Sequence, residues 1–320
     1  MAESGGCLQV SANELSGARV LVSGASGFLG GHLCRQLAAA GSELHGVSRR
    51  ELESGAGVRW WRGDLTDREF TRRTVLEVKP DVVFHLASLV GGARSLDMVL
   101  PTFDANLAAA VNLLVACAEV GVQRIVLAGS MEESEAGEGH DPPSSPYAAA
   151  KGAATAYARM FHALYGTPVV VARVFMVYGP AQADLKKLVP YVTLKLLAGE
   201  SPELASGTRP VDWVYVEDVA EGLVRLAATP GIDGQTLDLG SGSLVTVREV
   251  VERLGALVGA GVEARFGAVP DRALEQVRTA RVAETEAKTG WRPRVGLDEG
   301  LRRTVAWYRQ HGTQGKGQGS

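Results

Sequence analysis

Apolar positions in the first half of the chain fall into two alternating periods. Val20-Leu21-Val22 is an apolar, β-branched run that stops at Ser23, the pattern of a buried strand. Leu29, Leu33 and Leu37 then recur every four residues, one face of a helix that Gly41 ends. The exchange repeats. Strands are predicted at 43–47 and 58–61, and a helix starts near Asp67. The run from Val82 to Ser88 is a strand closing in small residues, 103–120 an alanine-rich helix, and 123–128 a strand. A helix over 146–165 and a strand over 169–174 follow. From Phe175 the alternation breaks down. Tyr178-Gly179-Pro180 is a turn, 188–198 a helix, 212–216 a strand and 219–228 a helix. A short strand at 236–239 can return to the main sheet, and helices near 247–257 and 298–308 close the chain. Alternation up to about residue 175 predicts an α/β fold, a doubly wound parallel sheet that binds its ligand at the carboxyl ends of the strands.

The first strand-to-helix turn carries candidate chemistry. Gly24, Gly27 and Gly30 are spaced by three. Gly24 permits a sharp turn, Gly27 lets backbone approach a pyrophosphate, and Gly30 lets the helix pack close to the strand. The helix N-terminus, with Ser26, Phe28 and Leu29 around it, offers free N–H groups and partial positive charge to an anion. The second strand ends in Ser48-Arg49-Arg50, with Glu51 only afterwards. An NAD site usually has a carboxylate here for the ribose 2′-hydroxyl; two guanidiniums suit a 2′-phosphate, so NADP(H) is expected rather than NAD. Asp64, before Leu65, can accept from an adenine amino group, whereas Asp67 is placed to cap a helix. Leu86, Ala87 and Ser88 would let the cofactor's ribose and pyrophosphate lie against the sheet, and His85 reads as a packed strand residue.

Composition narrows the class. With 320 residues, 46% of them hydrophobic, the chain can bury a full core. A net charge of −3 argues against general nucleic-acid binding. No apolar stretch is expected to reach the roughly 20 residues that span a bilayer. Residues 1–17 lack a secretion signal and read as a flexible leader, and 311–320 as a disordered tail. Cys7, Cys34 and Cys117 share no metal-ligand spacing and are expected to be reduced thiols in a cytoplasmic protein without a metal.

The ordered motifs resemble the extended short-chain dehydrogenase/reductase family, in its nucleotide-sugar epimerase, dehydratase and ketoreductase branch. They are Gly24-Ala25-Ser26-Gly27-Phe28-Leu29-Gly30, Gly63-Asp64-Leu65, His85-Leu86-Ala87, Asn106 and Tyr147-Ala148-Ala149-Ala150-Lys151. Val177-Tyr178-Gly179-Pro180, the run from Trp213 to Ala220, and Thr289-Gly290-Trp291 with Pro293 complete the set, which covers residues 18–310. The resemblance implies a Rossmann domain, 18–175, and a smaller interleaved part, mainly 176–310, that grips a nucleoside-diphosphate sugar. It also implies a homodimer joined through the helices holding Asn106 and Tyr147. Tyr147 and Lys151 lie one turn apart on one helix face. A phenol with a pKa near 10 becomes an effective proton carrier when a cation favours its phenolate, and Lys151 can supply that charge and hold the nicotinamide ribose.

Three departures mark the substrate side. Where the family has a catalytic Ser or Thr, Gly129-Ser130-Met131-Glu132-Glu133 aligns Met131, which cannot donate a hydrogen bond. The missing donor is expected on Ser130, Ser144 or Ser145, with Ser144 and Ser145 favoured for their place beside Tyr147. Met176 replaces a common Asn, and Val211 replaces a diphosphate-binding Arg, so Arg209, Arg272 and Arg278 become candidates for that role. The leading expectation is an NADPH-dependent ketoreductase of deoxysugar biosynthesis, acting at C4 of a nucleotide-linked hexose. The alternatives are a 4,6-dehydratase using Glu132 and Glu133 as an acid–base pair, a 4-epimerase, and a non-catalytic NADP sensor.

Overall fold

The computed structural model describes residues 15–312 apart from 53–56, 92, 134–141, 260, 273 and 275. Cys7, most of the expected leader and most of the expected tail lie outside the described residues. The first half runs β1 (Arg19–Ser23), α1 (Phe28–Ala39), β2 (Glu43–Ser48), β3 (Val58–Arg62), α2 (Arg68–Val78) and β4 (Val82–His85). It continues with α3 (Val99–Phe103), α4 (Ala109–Val120), β5 (Arg124–Ser130), α5 (Pro146–Tyr165) and β6 (Val169–Val174). The second half holds β7 (Met176–Tyr178), α6 (Leu188–Leu197), β8 (Glu203–Leu204), β9 (Pro210–Tyr215), α7 (Val216–Ala228) and β10 (Thr236–Leu239). It ends with β11 (Leu244–Thr246), α8 (Val247–Val258), β12 (Arg265–Phe266), α9 (Val282–Thr289) and α10 (Leu297–His311).

Seven strands form one parallel sheet in the order β10-β6-β5-β4-β1-β2-β3. The order reverses between β1 and β4, which opens a crevice at the carboxyl ends of those strands. β10 does return to this sheet, pairing Thr236–Leu239 with Val171–Val174. Helices cover both faces, and each face buries its own apolar cluster. A second set of short strands, β11-β9-β7, stands with α6, α8 and α10 around a third cluster that includes Trp213, Tyr215 and Leu301. Asp218 ties the closing segment to α7, its Oδ2 accepting from the Arg294 and Val295 N–H groups while its carbonyl accepts from Trp291 Nε1.

Local chemistry sets several ends. Ser145 caps α5 by accepting from the Ala148 N–H at 3.1 Å, Pro146 occupies its first turn, and Gly166 ends it in left-handed geometry. Asp67 caps α2, as its sequence position predicts. Two expectations are corrected. Leu15 is buried and Gly17 N–H donates to Gly41 O at 3.0 Å, so the last three residues of the supposed leader pack on the fold. His311 is the last residue of α10 rather than part of a tail.

A third correction concerns the helix expected over 103–120. It begins earlier, as a 3₁₀ turn at Leu96–Met98, and passes through a π turn at Asp104–Ala108 before α4. The continuous run Leu96–Val120 is long and apolar enough by length and composition to cross a membrane, which the residue pattern did not lead one to expect. Its inner side is packed as a core helix is: Thr102, Asn106, Leu113, Leu114 and Cys117 are buried, and α2 and α5 lie against it. Cys34 and Cys117 are both buried free thiols, with burial pushing Cys34 up to about 11.

Candidate active site

The glycine turn sits at the carboxyl end of β1, beside the loop that leaves β4. Gly24 has φ +75°, and a Cβ there would stand 2.8 Å from the Ala87 nitrogen. Only glycine allows that turn and that approach together. A Cβ on Gly30 would stand 2.1 Å from Gly24 O, so the helix start is seated directly on the turn. Gly27 is the N-cap of α1 and contributes no side-chain cap, which leaves the first-turn N–H groups of Phe28, Leu29 and Gly30 directed at the crevice. These features fit a dinucleotide pyrophosphate.

At the end of β2, Ser48 is buried and accepts from the Arg50 N–H at 3.1 Å, while Arg49 and Arg50 stand exposed. Glu51, the nearest carboxylate in sequence, pairs with Arg62 at 3.0 Å. Asp64 accepts from the Thr66 N–H at 2.9 Å, a local turn at the end of β3, and Leu65 is buried. Asn106 is fully buried in the π turn. Its Oδ1 accepts from Ser88 Oγ (3.0 Å) and the Leu89 N–H (2.7 Å), and its Nδ2 donates to Leu89 O (3.1 Å). It therefore pins the loop carrying Leu86, Ala87 and Ser88. His85 pairs with Ser23 Oγ at 2.7 Å, and burial with the nearby Lys151 charge lowers it to about 3, so the imidazole is neutral.

Tyr147 reaches this crevice from the first turn of α5. Its ring is half-buried, with the Ser130 and Ser88 hydroxyls beside the phenol. Burial dominates its titration and pushes it up to about 12, with the Glu132 and Glu133 charges acting the same way and the two serine hydroxyls opposing. Both hydroxyls lower the phenol's pKa, the effect of donors to its ionised form. Ser130 Oγ in turn accepts from the Glu132 N–H at 3.2 Å. Lys151, one turn further along α5, is 4% exposed and donates to Ala128 O at 2.8 Å. Burial lowers it to about 8, against the upward pull of Glu133.

Of the three serines offered as the missing donor, Ser130 is the one that acts on the titration of Tyr147, while Ser144 and Ser145 line the neighbouring pocket. β5 runs to Ser130 and then turns, so Ser130 faces Tyr147 while Met131 packs into the apolar cluster under the sheet. Ser145 serves α5 as its cap, and the Ser144 carbonyl accepts from Arg94 Nε at 2.7 Å. Glu132 and Glu133 also part company. Glu132 lines a small pocket with Arg94, Ser144, Arg209 and Arg272, whereas Glu133 is 1% exposed behind the strand. Two of the three candidate arginines, Arg209 and Arg272, therefore reach this pocket. Arg278 instead donates to Met131 O (3.3 Å) and Glu133 O (2.7 Å), bracing the loop after β5. Met176 lies half-buried in β7, and Val211 is buried in the third cluster.

Arg94 is the functional candidate that sequence reasoning missed. It lies in an irregular loop with no periodic pattern, and only the fold brings it to Ser144. Ser88 was legible as a small residue after β4, but its link to Tyr147 was not.

A model of the NAD dependent epimerase/dehydratase family matches residues 20–240. The UDP-glucose 4-epimerase of Mycolicibacterium smegmatis is 33% identical, over 91% of this chain and 98% of that protein. A dTDP-glucose 4,6-dehydratase of Actinoplanes sp. is 31% identical, over 91% of this chain and 98% of its own length. Among solved structures, the UDP-glucose 4-epimerase of Thermus thermophilus in complex with NAD superposes with a TM-score of 0.79 at 31% identity, covering 91% of this chain and 99% of that one.

Proposed function

The chain belongs to the NAD dependent epimerase/dehydratase family, in the extended short-chain branch of oxidoreductase-type enzymes, and from that premise we propose that it is an NADPH-dependent ketoreductase acting at C4 of a nucleoside-diphosphate keto-deoxysugar. The reading is supported by Arg49 and Arg50 at the end of β2, because NADPH suits net reduction. Burial raises Tyr147 to about 12, the opposite of the phenolate that Lys151 was expected to favour, so the phenol is protonated at neutral pH and can give its proton to an oxygen that gains charge. The Gly24 turn and the α1 N-terminus would hold a nicotinamide dinucleotide, which would supply hydride chemistry there. Tyr147 then protonates the nascent alkoxide, and the Ser130 hydroxyl supports Tyr147 as it ionises. Arg94, Arg209 and Arg272 line the pocket, and guanidinium groups suit a diphosphate.

The 4-epimerase reading is second, supported by the M. smegmatis relative. A dehydratase acid–base pair has less support, because Glu132 lines the pocket and Glu133 does not. Incubation with nucleoside-diphosphate 4-keto-hexoses and the corresponding hexoses, with NADPH or NADH, separates these readings. Net NADPH oxidation with a 4-keto sugar is expected; product without net cofactor turnover would replace the reductase by an epimerase or dehydratase. Each charge-assisted bond to a 2′-phosphate is worth about 1.5–3 kcal/mol, so Arg49→Ala with Arg50→Ala should weaken NADPH binding by about tenfold or more and spare NADH. Equal binding of both cofactors by the parent protein would remove the NADP assignment.

The homodimer reading rests on the outer face of α3 and α5. Leu100 is 70% and Phe103 48% exposed on α3, which packs against α5, and exposed apolar side chains of this kind mark an interface. Leu100→Asp with Phe103→Asp should convert a dimer to a monomer in light scattering after size exclusion. A monomeric parent protein would contradict this.

A further inference from the structure

Glu133 is buried at 1% exposure, and both of its carboxylate oxygens are engaged. Oε1 accepts from the Ser130 N–H at 2.6 Å, and Oε2 accepts from the Thr155 hydroxyl at 2.8 Å. Thr155 follows Lys151 by one turn of α5, and Lys151 follows Tyr147 by one turn, so the three share a helix face. The carboxylate therefore joins the end of β5 to the face that carries the reacting groups. Space for it exists because residue 129 is glycine: a Cβ there would stand 2.8 Å from Glu133 Oε1. Arg278 holds the same loop from outside through the Met131 and Glu133 carbonyls.

We propose that Glu133 is a positioning residue, whose carboxylate fixes the Ser130 hydroxyl against Tyr147 and serves as counter-ion to the Lys151 ammonium. The inference rests on the roles given above to Tyr147, Ser130 and Lys151. A buried ammonium without a counter-charge sheds its proton. Among the described residues, few other groups surround this one. His85 from β4 is neutral, Tyr147 is protonated, and Arg173 from β6, also near Glu133, pairs with Asp238 at 3.3 Å. Glu133 is the group that raises Lys151 against burial. Burial raises the Glu133 carboxyl itself, and Thr155, the Ser130 N–H, Lys151 and Arg173 draw it back down.

Glu133→Gln tests the charge separately from the hydrogen bonds. The amide oxygen can accept from the Ser130 N–H, and its NH₂ can donate to Thr155 Oγ1. In the ligand-free protein, the deficit in Tm of this variant relative to the parent should be greatest at acidic pH, where Lys151 is charged in both proteins, shrink as the variant's Lys151 loses its proton, and be gone by about pH 8, where the parent's Lys151 also deprotonates. The sign follows from Lys151: in the folded state it titrates below its unfolded value of about 10.5, so the cost of burying it charged is present at low pH and fades as it deprotonates. Removing Glu133 enlarges that cost only while Lys151 is charged. The kcat of the variant at pH 8 should fall by about tenfold, with KM for the sugar unchanged. A Tm deficit that is constant with pH overturns the counter-ion role, and this readout needs neither sugar nor cofactor. An unchanged kcat in an active parent enzyme overturns the positioning role. Inactivity of the parent on every nucleotide sugar would count against the reductase reading alone, leaving the Tm comparison to decide the counter-ion.

Discussion

Tyr147→Phe lowers kcat by about a thousandfold or more while NADPH affinity stays within about twofold of the parent. The phenol is half-buried beside Ser130 and Ser88, and its shift to about 12 keeps it protonated throughout the neutral range. Phe keeps the ring and the packing and removes the one proton that the nascent alkoxide needs. Neither neighbouring hydroxyl is an equivalent acid: Ser130 and Ser88 are ordinary serines, and Ser88 already donates to Asn106 at 3.0 Å. The pH profile provides a second check. Tyr147 stays protonated until about 12, so a basic limb near 8 belongs to Lys151 and should persist in any residual activity of the Phe variant. Stopped-flow absorbance at the nicotinamide band, with binding measured by fluorescence, reads both quantities. Retained turnover in the Phe variant would remove Tyr147 from the mechanism.

Ser130→Ala comes next in size, with an expected loss of about a hundredfold in kcat, because a donor to developing oxyanion charge is typically worth two to three powers of ten. Ser144→Ala should change kcat little. Ser145→Ala should cost about 1 kcal/mol of stability through loss of the α5 cap and leave kcat at saturating substrate nearly unchanged. The opposite pattern, with Ser144 or Ser145 dominant and Ser130 silent, would relocate the donor and dissolve the link drawn from Ser130 to Tyr147. Measuring Tm and kcat on the three single variants distinguishes the two cases.

Much of the scaffold is local and was legible in the chain. The 146–165 helix has the bounds expected of it, since Ser145, Pro146 and Gly166 carry its start and stop chemistry within themselves. The strand at 169–174 is a continuous apolar run and also appears as read. The strand at 236–239 also appears as read, and its pairing with β6 brings it back to the main sheet. Short pieces such as β8, β12 and β7 escaped notice because two or three residues carry no period, and their pairing partners are far away in sequence. The helical run from Leu96 was hidden by Asp97, Pro101 and Asp104, which interrupt its apolar pattern without ending it.

The sequence by itself determined the glycine turn, the Tyr147–Lys151 face and the pair of arginines after β2, because each depends on spacing within one or two elements. Only the tertiary structure decided which hydroxyl meets Tyr147, and which of two adjacent glutamates enters the pocket. Those outcomes depend on where β5 stops being extended. Ser130 still pairs with Val174 across the sheet, and the Met131 N–H donates to Val174 O at 3.1 Å as the chain begins to turn. Glu133 folds back onto the Ser130 N–H and Thr155, contacts made possible by the space above Gly129. A one-residue shift in that turn would exchange Ser130 for Met131. Strand periodicity cannot resolve such a shift, because hydrogen bonds to β6 and α5, rather than the residues' own preferences, hold the end of the strand in place.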